Sequence, residues 1–354
     1  MVQPSGVSNR QLRAAGGFEL PRIQLPSTTR LFLFGGAGLI FIIVVILGLG
    51  RFAGESLPVS LPNAIWLGPQ YTYEQPNEAQ VSNLIVRLRE HSIGTVYAWV
   101  SLLQPTNTWS DTARLDRVRG FVDQFKRLYP EVRLYGWLSV DAQSTSDSPR
   151  LADPELQRIV ADFSRRMTGE FGFDGVMLNV VPVANNDVNY LNLLRGIRSS
   201  IGDAASLAVA VPPDWSPTEA GIPRAPDIEP GTIWEQNYKQ RVALISDHMV
   251  VAAYNTGFTD AADYARWMAY QVETYAIALA ELQASTELLI GVPAYNAAPL
   301  HDPLVENVES AVTGIQAGMQ AAGEAGARIT GIALYAEWEA TERDWSQFRA
   351  MWLP

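Results

Sequence analysis

The stretch Phe171-Gly-Phe-Asp-Gly-Val-Met-Leu-Asn-Val-Val-Pro182 decides the fold. Val176, Met177, Leu178, Val180 and Val181 make a nearly continuous apolar run, the pattern of a strand covered on both faces. A Gly-Phe-Asp-Gly turn leads into it and Pro182, which cannot donate to a strand ladder, closes it. The polar segment Val183-Ala-Asn-Asn-Asp187 follows, and the polar cluster of Asp187 and Asn189 reads as a helix N-cap rather than as chemistry.

Working outward, such apolar runs alternate with amphipathic ones. Strands are predicted at Ala64–Leu67, Gly94–Val100, Val132–Leu138, Gly175–Val181, Ser206–Val211, His248–Tyr254, Leu288–Pro293 and Ile329–Tyr335. Between them, apolar residues at helical spacing predict helices. These cover Glu78–His91, Thr112–Tyr129, Pro154–Glu170, Asn186–Ile201, Ile233–Ile245, Asp260–Gln283 and Pro303–Gly323, and Asp344–Trp352 closes the chain. About eight strand–helix units in succession are the pattern of an α/β fold of the (β/α)8 TIM-barrel type over residues 63–354. A doubly wound sheet is the alternative, but no Gly-x-Gly-x-x-Gly turn follows the first strand.

The central stretch resembles the fourth-strand signature of family 18 glycoside hydrolases, the chitinase-like TIM barrels, written Asp-Gly-x-Asp-x-Asp-x-Glu. After Asp174-Gly175 this chain carries Met177, Asn179 and Val181 where the signature has Asp, Asp and Glu. In the family the glutamate protonates the departing glycosidic oxygen, and the aspartate before it orients the substrate's acetamido group as nucleophile. Valine cannot donate a proton. The resemblance therefore implies the family's barrel and argues against its usual reaction. It extends to Met249-Val-Val-Ala-Ala-Tyr254-Asn255, similar to the family's Met-x-Tyr-Asp, and to Val-Pro-Ala-Tyr at 292–295. Trp338 matches the tryptophan that floors the family's sugar site.

Barrel chemistry sits at the C-terminal strand ends. Tyr254, Trp338, Trp215 and Tyr295 fall there and offer flat faces with polar tips for a sugar ring, with Asn179 as a polar group on the floor. Trp66, Trp99 and Trp137 are expected to pack in the barrel. If catalysis persists, relocated carboxylates must carry it. Glu337 or Glu339 would be the donor and Asp141 or Asp214 the base, with Glu74 in the first loop.

The rest of the composition narrows the classes. A net charge of −11 without a basic stripe excludes nucleic acid as a partner. The absence of cysteine removes disulfides, thiolate nucleophiles and cysteine zinc sites. His91, His248 and His301 are scattered without metal-ligand spacing, and no nucleophile elbow or phosphate loop occurs, so no metal and no cofactor is expected.

Residues 1–30 read as an arginine-bearing cytoplasmic tail. Residues 31–50 hold no charge and, at about 1.5 Å per residue, cross the roughly 30 Å hydrocarbon layer once. Arg10, Arg13, Arg22 and Arg30 precede the span, which places the N-terminus in the cytoplasm and the barrel outside. Residues 51–62 form a linker. The expectation is thus a single-pass membrane protein whose extracytoplasmic barrel recognises a cell-surface or cell-wall glycan without hydrolysing it. The alternatives are an active glycoside hydrolase with relocated carboxylates, and a structural subunit with protein partners in an envelope assembly.

Overall fold

A computed structural model describes residues 62–143, 149–216, 221–228, 233–282, 284–296 and 301–354. The expected tail, span and most of the linker lie outside the described residues. Among the described residues no helix is long and apolar enough to cross a membrane.

The strands are β1 (Asn63–Leu67), β2 (Ile93–Leu103), β3 (Arg133–Asp141), β4 (Gly175–Val181), β5 (Ser206–Val211), β6 (His248–Val251), β7 (Glu287–Pro293) and β8 (Ile329–Tyr335). They pair in parallel, each with its sequence neighbour, and β8 returns to β1 to close the barrel. The helices are α1 (Pro69–Thr72), α2 (Glu78–Glu90), α3 (Leu115–Leu128), α4 (Pro154–Gly169), α5 (Val188–Ile201), α6 (Gln236–Ala243), α7 (Ala261–Ala280), α8 (Val308–Ala321) and α9 (Glu342–Trp352).

Strand alternation divides the core into two shells. In β4, Val176, Leu178 and Val180 face the helices and join the larger shell, while Met177 points into the barrel. The inner shell is unusually aromatic. Trp66 lies 5.1 Å from Tyr97 between ring centroids, Tyr97 5.7 Å from Tyr135, and Trp99 4.7 Å from Trp137. Trp66 and Trp137 are buried and Trp99 is half-buried, as expected of packing residues. Small residues opposite them, Ala64, Ala208, Ala210 and Ala333, make room for the rings.

Each acid that precedes a strand has a structural task. Asp174, just before β4, accepts Leu134 N–H at 2.9 Å and Lys126 Nζ at 2.5 Å. Asp247, just before β6, accepts Leu207 N–H at 2.7 Å in the same manner. Gly175 admits no side chain, because a Cβ there would lie 2.6 Å from the Tyr135 ring. The Asp-Gly pair of the central stretch thus fastens the entry to the strand. Asp187 caps α5 as predicted, accepting Asn189 N–H at 2.8 Å.

Several predicted boundaries move. The helix expected over Ile233–Ile245 begins at Gln236, because Trp234 is held as loop by its N–H on Asp214 (3.0 Å) and its indole on the Val183 carbonyl (3.2 Å). The helix expected from Pro303 begins at Val308, where Asn307 forms a capping box with Ser310. The stretch from Thr112 opens as a 3-10 turn before α3. β2 runs on past Val100 to Leu103 through an irregularity between Trp99 and Ser101. β6 stops at Val251, so Tyr254 stands in the loop beyond it, where Asn255 takes a left-handed backbone (φ 58°).

Candidate functional site

The inward phase of β4 continues past Met177 to Asn179 and Val181, so all three positions where the signature has acids face the barrel axis or its mouth. Met177 is fully buried among the aromatic rings, Asn179 is half-buried, and Val181 is 58% exposed. Register sets Val181 level with Asp141 of β3, and Asn179 level with Ser139 and Ala210. Where the resemblance places a proton donor, the mouth presents a solvent-facing isopropyl group.

A cavity of about 390 Å³ opens here, lined by Asn179, Val181 and Pro182, by Pro213 after β5, and by Tyr254 and Asn255 after β6. Asp227 and Gln143 also reach it. Neither was singled out from the sequence, since both lie in loops without periodicity. The one sequence signal near Asp227 is Gly257, which has φ +73° and leaves no room for a Cβ beside the Asp227 carboxylate.

Tyr335 organises the aromatic side of the mouth. Tyr254 stacks on it with centroids 4.9 Å apart and planes 11° apart, and Tyr295 meets it edge-on at 5.5 Å. Trp338 meets it edge-on at 5.6 Å and lies parallel to Trp137 at 6.5 Å, leaving 37% of its surface open. Tyr295 is buried and donates its hydroxyl to Asn255 Oδ1. Burial pushes the phenols of Tyr254, Tyr295 and Tyr335 up, so all three remain hydrogen-bond donors. The peptide bonds Val181–Pro182 and Tyr335–Ala336 are both cis.

Two buried groups fix these loops from behind. Glu306 accepts Thr256 N–H at 2.9 Å and Gly257 N–H at 3.2 Å, and so anchors the loop that carries Tyr254 and Asn255. His301 bonds the Tyr295 carbonyl at 2.8 Å and stacks on its ring at 4.1 Å. Sequence reading gave no sign of either role, because the contacts join residues far apart in the chain.

The structure brings Asn179, Tyr254, Tyr295 and Trp338 to one end of the barrel. Of the candidates, Asn179 and Tyr254 line the mouth cavity and Tyr295, Trp338 and Trp215 do not; Trp215 is half-buried, with the Arg224 guanidinium 4.3 Å above its ring. The four candidate acids go to separate surroundings. Asp214 is buried against Lys239 and Trp234 N–H, a position that pushes its carboxyl up and the Lys239 ammonium down through burial. Glu339 accepts Asn296 N–H at 3.0 Å. Glu337 turns away from the mouth and accepts the Tyr71 hydroxyl at 2.8 Å. Burial pushes its carboxyl up. Asp141, at the β3 exit, accepts Gln143 N–H at 2.9 Å.

No protein-family model and no curated protein sequence matches the chain. Solved structures do resemble it. A chitinase from Bacteroides thetaiotaomicron superposes with a TM-score of 0.54 at 13% identity, covering 82% of this chain and 96% of its own. A class V chitinase from Pseudomonas fluorescens Pf-5 gives 0.53 at 14%, covering 81% and 98%. The spore cortex-lytic enzyme SleL of Bacillus cereus gives 0.50 at 11%, covering 81% and 73%. At such identities the likeness is one of fold: this chain has the barrel that chitinases and a cortex-lytic enzyme also use.

Proposed function

We propose that the barrel is a glycan-recognition module that binds a neutral oligosaccharide at its mouth without cleaving it. In this reading residues 31–50 anchor it to the membrane, with the barrel outside the cell. The observation that carries the proposal is Val181, exposed in the mouth at the place of the family's proton donor and unable to protonate a leaving group. Side-chain amides (Asn179, Asn255, Gln143) and the Tyr254 ring line the cavity, Trp338 stands at the same end of the barrel, and Asp227 is the one carboxylate lining the cavity among the described residues, so the mouth is richer in stacking and hydrogen-bonding groups than in acids.

The test is calorimetric titration of the full-length chain in detergent with chito-oligosaccharides and cell-wall glycan fragments, with product analysis of the same mixtures. Saturable binding with no new reducing ends is the expected result. Efficient release of reducing ends, abolished by Asp141→Asn, would instead establish the hydrolase reading. Asp141 is the acid to test because it lies level with Val181.

A further inference from the structure

Behind the mouth, a ring of contacts joins the loop after β6 to the loop after β7, and it closes at a joint with no hydrogen bond. Glu306 Oε1 accepts Thr256 N–H at 2.9 Å and Gly257 N–H at 3.2 Å. Asn255, next to Thr256 in the chain, receives the Tyr295 hydroxyl. The Tyr295 carbonyl in turn lies 2.8 Å from His301 Nε2. The remaining joint is His301 Nδ1 to Glu306 Oε2, 3.5 Å apart, with both side chains fully buried. Neither of these two atoms has a hydrogen-bond partner among the described residues.

Donor and acceptor roles fix what this joint needs. A carbonyl only accepts, so His301 Nε2 carries its hydrogen. In a neutral imidazole Nδ1 is then a bare acceptor, and an ionised Glu306 sets a second acceptor against it. Two buried acceptors face to face would each stay unsatisfied, at the desolvation cost of both. One added proton, on Nδ1 or on Oε2, turns the same contact into a donor–acceptor pair. We infer that the folded chain holds this proton between His301 and Glu306, and that the shared proton ties together the two loops that carry Tyr254, Asn255 and Tyr295.

The charged groups around the pair are engaged elsewhere. Asp302 accepts Leu304 N–H at 2.9 Å, and Glu339 accepts Asn296 N–H at 3.0 Å. Arg343 and Asp344 line the small space beside Glu306 and Tyr295, but Arg343 lies 3.8 Å from Glu309 and Asp344 accepts Thr341 N–H at 2.9 Å. From α7 the Tyr264 hydroxyl donates to the Ala253 carbonyl, and the Asp227 carboxylate lies against Gly257. Among the described residues no lysine or arginine pairs with Glu306, which leaves His301 as its one cationic partner. As pH rises and the proton leaves, the joint opens and the two loops lose their tie, so affinity at the mouth falls.

The ligand in this inference rests on the glycan reading of the mouth, and the experiment separates the two. The full-length chain in detergent is titrated calorimetrically at pH 6 and pH 9 with the hexasaccharide of β-1,4-linked N-acetylglucosamine, a probe with no titrating group of its own. Binding is expected to be about tenfold weaker at pH 9, the worth of one charge-assisted hydrogen bond. Glu306→Gln keeps an oxygen for Thr256 and Gly257 and gives Nδ1 a permanent amide donor, so it should hold the pH 6 affinity at both values. His301→Gln keeps a donor for the Tyr295 carbonyl without a titrating ring and should bind equally, at the weaker level, at both. Equal binding by the native chain at the two pH values, or a pH dependence kept in Glu306→Gln, would overturn the shared proton. If no protein binds the sugar, the mouth reading fails, and urea unfolding still decides the proton. The folded pair would then hold a proton that the unfolded chain has released, so from pH 6 to pH 9 the native chain should lose stability relative to Glu306→Gln. Parallel losses in the two proteins would refute it.

Discussion

His248 offers the sharpest test of the barrel's lower half. It begins β6 and is 3% exposed. Its Nε2 lies 3.1 Å from the Tyr135 hydroxyl and 3.2 Å from Arg133 Nη1. A guanidinium only donates, so Nε2 must accept, and the ring proton sits on Nδ1, which is buried without a partner among the described residues. Burial holds the imidazole neutral, moving its pKa from 6.5 down to about 4, although Glu287 is 3.7 Å away. The unfolded chain takes up the proton near 6.5 and the folded one only near 4. Between those values the unfolded state binds more protons, so stability falls as pH falls through the window. Integrated from pH 7 to pH 5, the loss is about 2 kcal/mol.

Glutamine at 248 accepts from the same two donors and does not titrate, so His248→Gln should lack this part of the slope. Glu287, which burial raises but the Arg133 bonds and the His248 charge hold below the usual carboxylate range, is present in both proteins, so only its coupling to His248 differs between them. Urea denaturation of both full-length chains at pH 7 and pH 5, followed by tryptophan fluorescence, reads the difference. Equal losses in the two proteins would refute the argument.

Three further outcomes are expected. Lys239→Met leaves the fully buried Asp214 without its partner and should cost about 3–5 kcal/mol in denaturant unfolding, whereas the double change Lys239→Met with Asp214→Leu should recover much of it. Trp338→Ala should weaken oligosaccharide binding by about tenfold in calorimetry at nearly unchanged stability, because the ring is a partly open platform and not core. Val181→Glu should unfold at the same urea concentration as the native chain, since the site is solvent-facing, while Met177→Asp should lose about 3–5 kcal/mol by burying a carboxylate among aromatic rings.

The barrel was legible because its signal is local and repeated. An apolar run bounded by turn residues fixes a strand wherever it occurs, and Val176–Val181 shows this in one line. Ends were less legible, because they are set by contacts between distant residues. Nothing near Tyr254 in sequence announces that Glu306 will pin Thr256 and stop β6 at Val251. Nor does the sequence show that Asp214 is taken by Lys239, or that Glu337 and Trp338, adjacent in the chain, serve different spaces. A carboxylate's surroundings decide its chemistry, and those surroundings arrive from other strands.

Met177, Asn179 and Val181 of β4 are best read as one physical arrangement rather than three. Inward positions of a barrel strand share a column, so a carboxylate high in the column needs polar company beneath it. In this chain the column starts in a packed aromatic layer: Met177 lies level with Trp137 and Ala208, and Trp66, Tyr97 and Tyr135 fill the space below. With Met177 in that layer, a carboxylate at 179 or 181 would have no acid beneath it to order it, although the Trp137 indole N–H and the Tyr97 hydroxyl are buried there without a partner among the described residues. A glutamate placed at 181 alone would therefore fold without creating the signature's arrangement of acids. The filled barrel floor and the exposed Val181 at the mouth are two ends of the same column.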